Sequence, residues 1–460
     1  MRVLLLSFSL LFLSPSVFTS PTQRPFAPPL GTEVESEYHL NTGLDADDAF
    51  DEAVPPPAGM VLYPLHSSGP RDDRVNLMFL ADGYTPDEQA KFVDDATKLK
   101  DDIVSSEGAM YSVSHLLNVW AAFLPSNISG IGTHDTPLPG AAFGLYRPGS
   151  ELRGVYLDQP KKARAACRFF REDSLEGGCD QPILLGNDPL YGGLGGEFTI
   201  ITASELNGPL VLRHELGHSL IPVGEEYEGG FAYFGVSSDK IDHLHDLKWK
   251  RFLTNPKEVR VEDAQVPLQV YPWHDLDDSS YTVAFTSNNT ASRDYPTALL
   301  RASISSIPYA SHIFISLNNA TLDLSDGFPK AWKGTNDRRW LEVSLGEGLL
   351  EGKNVVTVGL TEDGKREKAG QGGKMIDSIE IIEYGGNGRF NHTEGFIGAF
   401  PTYAMDGSVT LRPTNEECLM RKVNYPSFCP VCAHGLKTSL ETRIAKKGSG
   451  SSGEQREKEQ

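Results

Sequence analysis

Two histidines and a glutamate form a short run whose residue types and spacing suggest metal chemistry. His214-Glu215-Leu216-Gly217-His218 has the pattern H-E-x-x-H. On a helix, His214 and His218 lie one turn apart on the same face, so both can reach one metal ion. Glu215 is placed to contact a water on that metal without being a ligand, as a general base must. The pattern predicts hydrolysis by a zinc-activated water, and the alternative is a chance occurrence on a surface helix.

A catalytic zinc needs a third protein ligand, and two carboxylates follow the helix. Glu225 and Glu226 come eleven and twelve residues after His214. A continuous helix would carry position 225 about 16 Å along its axis, so the chain must turn back at Pro222–Gly224. Glu225 is the first choice and Glu226 the alternative, and the unused carboxylate could orient a ligand histidine. Next to them, Tyr227 could donate to the developing oxyanion. The alternative is a solvated pair of glutamates at a helix end.

The elements around this run indicate an α/β unit. The metal-binding run lies in a predicted helix that begins at Asn207-Gly208-Pro209 and ends before Pro222. The preceding run, Glu197 to Thr202, alternates like an edge or near-edge strand, so an extended substrate could pair with it. Farther upstream, the sequence predicts a strand at 75–80, a helix from Thr85 to about Val104 and a buried strand at 182–186.

The remaining sequence divides into segments of different composition and predicted secondary structure. Six or seven β-rich runs between residues 265 and 386 predict a β-sandwich inserted into the α/β unit. We therefore expect a signal peptide at 1–20, a weakly ordered leader or pro-segment at 21–70 and a catalytic domain at 71–264. The sandwich follows at 265–386, then the C-terminal part of the catalytic domain at 387–445 and a disordered tail at 446–460.

Charge and targeting signals indicate where the protein works. A formal net charge of −20 and a pI near 5.0 argue against sequence-independent binding to nucleic acid or to an anionic membrane surface. The short apolar stretch behind Arg2 is typical of a signal peptide, so we expect a secreted, extracellular protein with no membrane span. Four N-x-S/T sequons fit glycosylation in that compartment, and they lie at Asn127, Asn288, Asn319 and Asn391.

The five cysteines suggest one or two disulfide bridges rather than a disulfide scaffold. Cys167 and Cys179 could close one loop, and Cys418 could pair with Cys429 or Cys432. The C-x-x-C spacing of Cys429 and Cys432 could also be half of a structural zinc site. An exporting compartment favours a bridge, and we expect one.

Several motifs together resemble peptidase family M64, the zinc peptidases named for a bacterial immunoglobulin A peptidase. The run His214 to Ser219 with Glu225-Glu226-Tyr227 is similar to the family pattern H-E-x-G-H-S…D-E-Y, although Glu225 stands where the family has aspartate. Further matching segments are Ala81-Asp82-Gly83-Tyr84-Thr85, Tyr191 to Gly196, Cys418 to Arg421 and Phe428 to Cys432. The resemblance covers about residues 74 to 435.

The resemblance implies a zincin fold of metzincin-like type, in which a methionine turn lies beneath the metal. Met420 is the candidate for that turn, and a packing methionine is its alternative. The expected protein is a secreted, zinc-dependent endopeptidase acting on a protein or peptide substrate. His214, His218 and Glu225 would bind Zn2+, while Glu215 and Tyr227 would be catalytic. The β-sandwich offers a surface for a glycan or a protein partner.

Two other functions fit the same sequence. One is an exported binding protein whose zinc site is not catalytic, and the other is a zinc hydrolase of non-peptide amides. An intact Glu215 argues against the first, and a water displaceable by hydroxamate would distinguish the two kinds of zinc site.

Overall fold

The computed structural model describes residues 54–458, apart from residues 231, 292, 369 and 371. The predicted signal peptide at 1–20 and the leader as far as residue 53 lie outside these described residues. Within the described part of the chain, no helix is both long enough and apolar enough to cross a membrane.

The first half of the described chain alternates strands with helices. In chain order its elements are β1 (Val61–His66), β2 (Val75–Asp82), α1 (Gln89–Val104), β3 (Leu117–Phe123), β4 (Leu145–Tyr146), β5 (Tyr156–Leu157), α2 (Pro160–Arg168), β6 (Gln181–Gly186), β7 (Gly193–Leu194), β8 (Thr199–Thr202) and α3 (Asn207–Leu220). The predicted helices at the start of this half and at the H-E-x-x-H run therefore correspond to α1 and α3.

Six of these strands form a mixed sheet in the order β1-β3-β2-β6-β8-β7. The four central strands β3, β2, β6 and β8 are parallel, and the two outer strands are antiparallel to their neighbours. On β2, Leu77 and Phe79 join the core that contains α3, while Met78 and Leu80 join the core that contains α2. Helices on both faces explain why this strand reads as an uninterrupted apolar run.

The edge of the sheet near α3 contains one strand more than the sequence predicts. Strand β8 is completely buried and pairs with β6 on one side and with β7 on the other. The edge strand is β7, where Gly193 pairs with Ile201 and Leu194 with Ile200. Residues 197–202 thus contain the predicted near-edge strand, but β8 is paired on both sides, so an extended substrate cannot pair with it as expected. The edge strand itself was not predicted, because a two-residue strand has no periodicity that a sequence pattern can reveal.

Part of the predicted leader belongs to the sheet. Residues 61–66 of the segment expected to be weakly ordered form β1, which pairs antiparallel with β3. Tyr63 and Leu65 pack against the main core. The register shifts between Pro64 and His66, which agrees with the tolerance of proline at sheet edges and bulges. This edge strand was not predicted because the segment around it is rich in proline.

The β-rich segment contains the predicted strands, and they form two further sheets. Its elements, from the end of α3 onward, are β9 (Asp239–Lys240), β10 (Ala264–Val270), β11 (His274–Asp275), β12 (Tyr281–Thr286), β13 (Thr297–Ser305), β14 (Ile313–Leu317), β15 (Ala320–Thr321), β16 (Arg339–Leu345), β17 (Lys353–Leu360), α4 (Glu362–Arg366) and β18 (Met375–Tyr384). One sheet has the order β10-β18-β13-β16 with β11 beside β18, and the other has the order β12-β17-β14-β15. Buried residues of both sheets form one hydrophobic cluster.

The C-terminal part returns to the first core. Its elements are β19 (Phe400–Tyr403), β20 (Val409–Arg412) and α5 (Pro430–Lys458), and Leu436 and Leu440 of α5 are buried in the same cluster as α3. The segment from Lys446 was predicted to be a disordered tail, but in the structure α5 continues through it to Lys458. Lys447 donates to the backbone oxygen of Arg74 at 2.8 Å and pairs with Asp180, which anchors this end of the helix.

The fold is thus a mixed α/β fold with several sheets, consistent with the α+β class. The predicted bridge between Cys167 and Cys179 is present. The expected second bridge is absent among the described residues, since Cys418, Cys429 and Cys432 are free and buried.

Candidate metal centre

Helix α3 points two imidazoles at one place. The Nε2 atoms of His214 and His218 lie 3.3 Å apart. On the other side of each ring, Nδ1 of His214 lies 2.8 Å from the carbonyl oxygen of Leu419, and Nδ1 of His218 lies 3.1 Å from that of Val223. A carbonyl oxygen can only accept, so each Nδ1 carries a proton, and each Nε2 presents a lone pair when the imidazole is neutral. This tautomer is the one needed for a shared cation.

The chain after α3 turns back and brings Glu225 to the same place. The amide of Gly224 donates to Phe234, and the amide of Glu225 donates to Ala232 at 2.8 Å, which fixes the turn. The Glu225 carboxylate oxygens lie 3.5 Å from Nε2 of His214 and 3.2 Å from Nε2 of His218. The structure therefore brings together the two histidines and the first-choice glutamate.

The size of this triangle suits a small divalent ion. A tetrahedral zinc with bonds of about 2.0–2.1 Å places its ligand atoms about 3.3 Å from one another. The three separations here are 3.2, 3.3 and 3.5 Å. Oε2 of Glu225 is buried and has no hydrogen-bond partner among the described residues, as expected for an atom that binds an ion.

The charges at this place also favour a cation. Burial alone would lower the pKa of His218, but the adjacent Glu225 carboxylate raises that pKa to about 9. Burial would raise the pKa of Glu225, yet His218 and His214 hold it far below its ordinary value. The carboxylate therefore stays ionised in a buried position, which requires positive charge beside it.

Glu215 lies beside the three groups but is not one of them. Burial raises its pKa above the ordinary glutamate value, against the opposing effects of His214, His218 and a hydrogen bond from the Gly195 amide. A carboxylate with a raised pKa is a better proton acceptor near neutral pH.

A cleft opens in front of this centre. Its volume is about 270 Å³, and its lining includes Leu194 of the sheet edge together with His214, Glu215, Glu225 and Tyr227. Tyr227 is half-buried, and its backbone oxygen accepts from the Tyr233 hydroxyl at 2.8 Å. Four of the five predicted site residues, His214, Glu215, Glu225 and Tyr227, therefore line one shared space.

Met420 packs directly beneath the helix. Its side chain is completely buried, and a methyl group added at Gly217 would come within 2.4 Å of its sulfur atom. The preceding residue, Leu419, supplies the carbonyl that accepts from His214. The segment around Met420 thus packs against α3 and holds the His214 ring through the Leu419 carbonyl.

The far wall of the cleft comes from residues that, apart from Tyr191, no sequence motif indicated. The Arg153 guanidinium lies 3.9 Å from the centre of the Trp273 ring. The Arg338 guanidinium lies 4.8, 5.0 and 5.3 Å from the ring centres of Tyr191, Trp273 and Trp340. Trp273 has a φ of 44°, in the region that L-residues rarely adopt. Because these residues are far apart in the sequence, no local motif could have identified the wall.

Buried ion pairs join the β-rich segment to the segment that carries Met420. Arg421 pairs with Glu228 at 3.1 Å and with Glu416 at 3.1 Å. Arg301 of β13 pairs with Glu380 of β18 at 2.7 Å and also with Glu416. Glu416 therefore binds cations from both parts of the chain.

Glu226, the alternative third ligand, points away from the histidines. It is 1% exposed, and its Oε1 lies 3.4 Å from Sγ of Cys432. The sequence could not separate it from Glu225, because the turn that directs their side chains is closed by residues 232–234.

Comparison with known proteins bears on this chemistry. The family model described as IgA Peptidase M64 matches residues 63–279, which confirms the family that the sequence resembles. The match includes α3 and the turn that carries Glu225, and it supports a hydrolase of the peptidase class. The search of curated proteins finds no match.

Proposed function

Starting from this match to the IgA Peptidase M64 family, we propose that the chain is a secreted, zinc-dependent endopeptidase. The observation that carries the proposal is the triangle of two Nε2 atoms and one carboxylate, with sides of 3.2, 3.3 and 3.5 Å. Two imidazoles and one carboxylate are a common donor set of catalytic zinc, which keeps a further position open.

His214, His218 and Glu225 would hold the ion. When bound, zinc supplies a Lewis acid that polarises the scissile carbonyl and makes a water molecule more acidic. The carbonyls of Leu419 and Val223 keep the two imidazoles in the tautomer that leaves Nε2 available.

Glu215 is the proposed general base. Its carboxylate takes the proton from the attacking water and returns it to the leaving amine, and the Gly195 amide holds it in position. Tyr227 shares the cleft, so its hydroxyl is the candidate donor to the oxygen of the scissile carbonyl. No protein nucleophile is required by this scheme.

The edge strand β7 is a candidate binding site for the substrate backbone. β7 ends the main sheet, and Leu194 and Gly193 line the cleft beside Glu215. An extended peptide could add a strand at this edge and so carry its scissile bond past the metal centre. The aromatic and arginine wall opposite would then contact substrate side chains.

The same proposal includes the finer architecture and the location. We assign residues 61–264 and 387–458 to a zincin-type catalytic domain and residues 265–386 to an inserted β-sandwich, with Met420 in the methionine turn. The buried cluster shared by the two β-rich sheets supports the sandwich. The apolar stretch after Arg2 and the Cys167–Cys179 bridge support export.

The decisive test replaces Glu215 by glutamine, which keeps the shape of the side chain and removes the base. We expect Glu215→Gln to keep its zinc and to lose about 10²–10⁴-fold in kcat on an unfolded protein substrate. Glu205→Gln is the matched control, because Glu205 is exposed just before the same helix. It should keep both zinc and activity.

Three results would contradict the proposal. The wild type could lack zinc, it could bind zinc without cleaving peptide bonds, or Glu215→Gln could retain full activity. The second result would favour a binding protein or a hydrolase of non-peptide amides.

A further inference from the structure

Three free cysteines and one glutamate meet on the far side of the turn that carries Glu225. Cys418, Cys429 and Cys432 are 0%, 2% and 0% exposed, and Glu226 is 1% exposed. One ligand atom from each lies within 4.8 Å of each of the others. Four potential metal ligands from two distant parts of the sequence thus share one buried position.

We propose that Cys418, Cys429, Cys432 and Glu226 form a second metal site, which binds one structural zinc ion. Structural zinc sites in proteins are tetrahedral and closed by four protein ligands, and cysteine sulfur is the commonest of them. With bonds of about 2.3 Å, ligand atoms around zinc lie roughly 3.8 Å apart. Oε1 of Glu226 already lies 3.4 Å from Sγ of Cys432.

The fourth group, Glu226, has one carboxylate oxygen without a hydrogen bond. Oε2 of Glu226 is buried and has no hydrogen-bond partner within the described part of the chain. A buried polar atom without a partner costs free energy, and a buried carboxylate needs a cation or several donors. A metal ion would supply the missing partner for Glu226 and for the sulfur atoms together.

The backbone around the cysteines is arranged to stabilise thiolates. The amide of Cys429 donates to Sγ of Cys418 at 3.4 Å, and the amide of Cys432 donates to Sγ of Cys429 at 3.5 Å. Helix α5 begins at Pro430, so Cys429 and Cys432 lie at its amino end, where the helix dipole favours negative charge. These donors resemble the supporting shell of a metal site.

The surrounding charge is compatible with such an ion. Three thiolates and a carboxylate exceed the charge of one divalent ion, so nearby positive charge is needed. Arg421 donates to the backbone oxygen of Glu226 at 3.1 Å, and the charge of Arg412 acts on the Glu226 carboxylate. Zinc binding releases the protons of the three thiols to solvent, and no oxidation or reduction is involved.

A disulfide satisfies these residues less well. Any bridge within the group leaves one thiol and the Glu226 carboxylate together in a buried position. The structure bridges Cys167 with Cys179 but leaves these three cysteines unbridged. In place of the disulfide bridge expected from the sequence, we therefore infer a metal site at Cys418, Cys429 and Cys432.

The position of this site suggests what it does. Glu226 follows Glu225 in the chain, and Cys418 precedes Leu419, whose carbonyl accepts from His214. An ion bound by Glu226 and Cys418 would fix both segments that shape the proposed catalytic centre. The second site would thus position the first without touching the substrate.

The test counts metal ions in the full chain, purified without reductant. We expect two zinc ions per chain in the wild type and one in the variant His214→Ala/His218→Ala. Replacement of that one ion by cobalt should give near-ultraviolet absorption from thiolate-to-cobalt charge transfer. Adding Cys432→Ser should remove both the remaining ion and the absorption, whereas adding Cys167→Ser/Cys179→Ser should leave both unchanged.

Other outcomes overturn the inference. Unreduced wild-type protein could have a mass showing a second disulfide bridge, or its cobalt form could lack thiolate absorption. Because both measurements use the wild type, misfolding of a variant does not affect them. A single ion with sulfur ligands would support this site and refute the proposed catalytic zinc, and a single ion without sulfur ligands would do the reverse.

Discussion

Replacing Gly217 by alanine tests whether Met420 supports the metal-binding helix. Gly217 lies in the last turn of α3, and an added methyl group would lie 2.4 Å from Sδ of Met420 and 3.2 Å from Cε1 of Phe428. Both contacts are shorter than van der Waals packing allows. Met420 is completely buried, so it cannot swing into solvent to make room.

Two opposing effects determine the magnitude. Alanine in a helix interior is favoured over glycine by about 1 kcal/mol. Overpacking a well-filled core costs typically about 1–3 kcal/mol. We expect Gly217→Ala to lower the local stability of α3 by about 1 kcal/mol, because the collision outweighs the helix preference.

The control for this collision is Met420→Ala. This substitution is destabilising by itself, but it leaves space for the new methyl group. In that background, Gly217→Ala should instead stabilise the helix by about 1 kcal/mol. The two backgrounds then differ by about 2 kcal/mol, or roughly 30-fold in the opening equilibrium of the helix.

Amide hydrogen exchange across Asn207–Leu220, measured by mass spectrometry at a fixed zinc concentration, gives this local opening free energy. A local measurement avoids the assumption that so large a protein unfolds in one step. If Gly217→Ala slows exchange equally in both backgrounds, Met420 does not press against the helix and the reasoning is wrong.

Three further predictions concern other parts of the molecule. The Cys167–Cys179 bridge spans 12 positions, so Cys167→Ser/Cys179→Ser should destabilise the protein by about 3 kcal/mol in urea unfolding; an unchanged midpoint would contradict this. Burial raises the pKa of Asp377 to about 6, although Arg338 opposes the shift. The folded state therefore favours the protonated acid, and its stabilising contribution is complete below about pH 4 and lost as the pH rises through about 6. Asp377→Asn should abolish that loss in urea titrations; an unchanged pH dependence would refute this assignment. Trp273→Ala removes part of the cleft wall and should raise KM about 10-fold with kcat and zinc content unchanged; a fall in kcat alone would exclude a binding role.

Local chemistry explains which parts of the site could be predicted from the sequence. The helix containing His214 and His218 is limited by nearby signals, Pro209 at its beginning and Pro222 after its end. The histidine spacing depends only on helical geometry, so the pair faces one point wherever the helix lies. These features require no knowledge of distant contacts.

The choice between Glu225 and Glu226 depends on contacts that a linear pattern does not contain. Backbone bonds to Ala232 and Phe234 close the turn and aim Glu225 at the histidines. Glu226 then faces Cys432, which follows it by more than two hundred residues. Sequence spacing alone therefore left both the third ligand and the state of the cysteines open.

The edges of the main sheet were difficult to predict for a related reason. A strand is recognised by alternation over several residues, and β7 has only two. β1 contains Pro64, and its surroundings are rich in proline. Central strands such as β2 are long apolar runs, whereas edge strands depend on a neighbour that the pattern does not identify.

The ion pairs of Arg301, Arg421 and Glu416 make the β-rich segment inseparable from the rest of the protein. Deleting residues 265–386 would remove Arg301 and Glu380, and Arg421 and Glu416 would lose partners in a buried setting. The segment therefore cannot be exchanged as a module through its two chain connections alone. A chimaera with a β-rich segment from another protein would also need matching charges at positions 301 and 380.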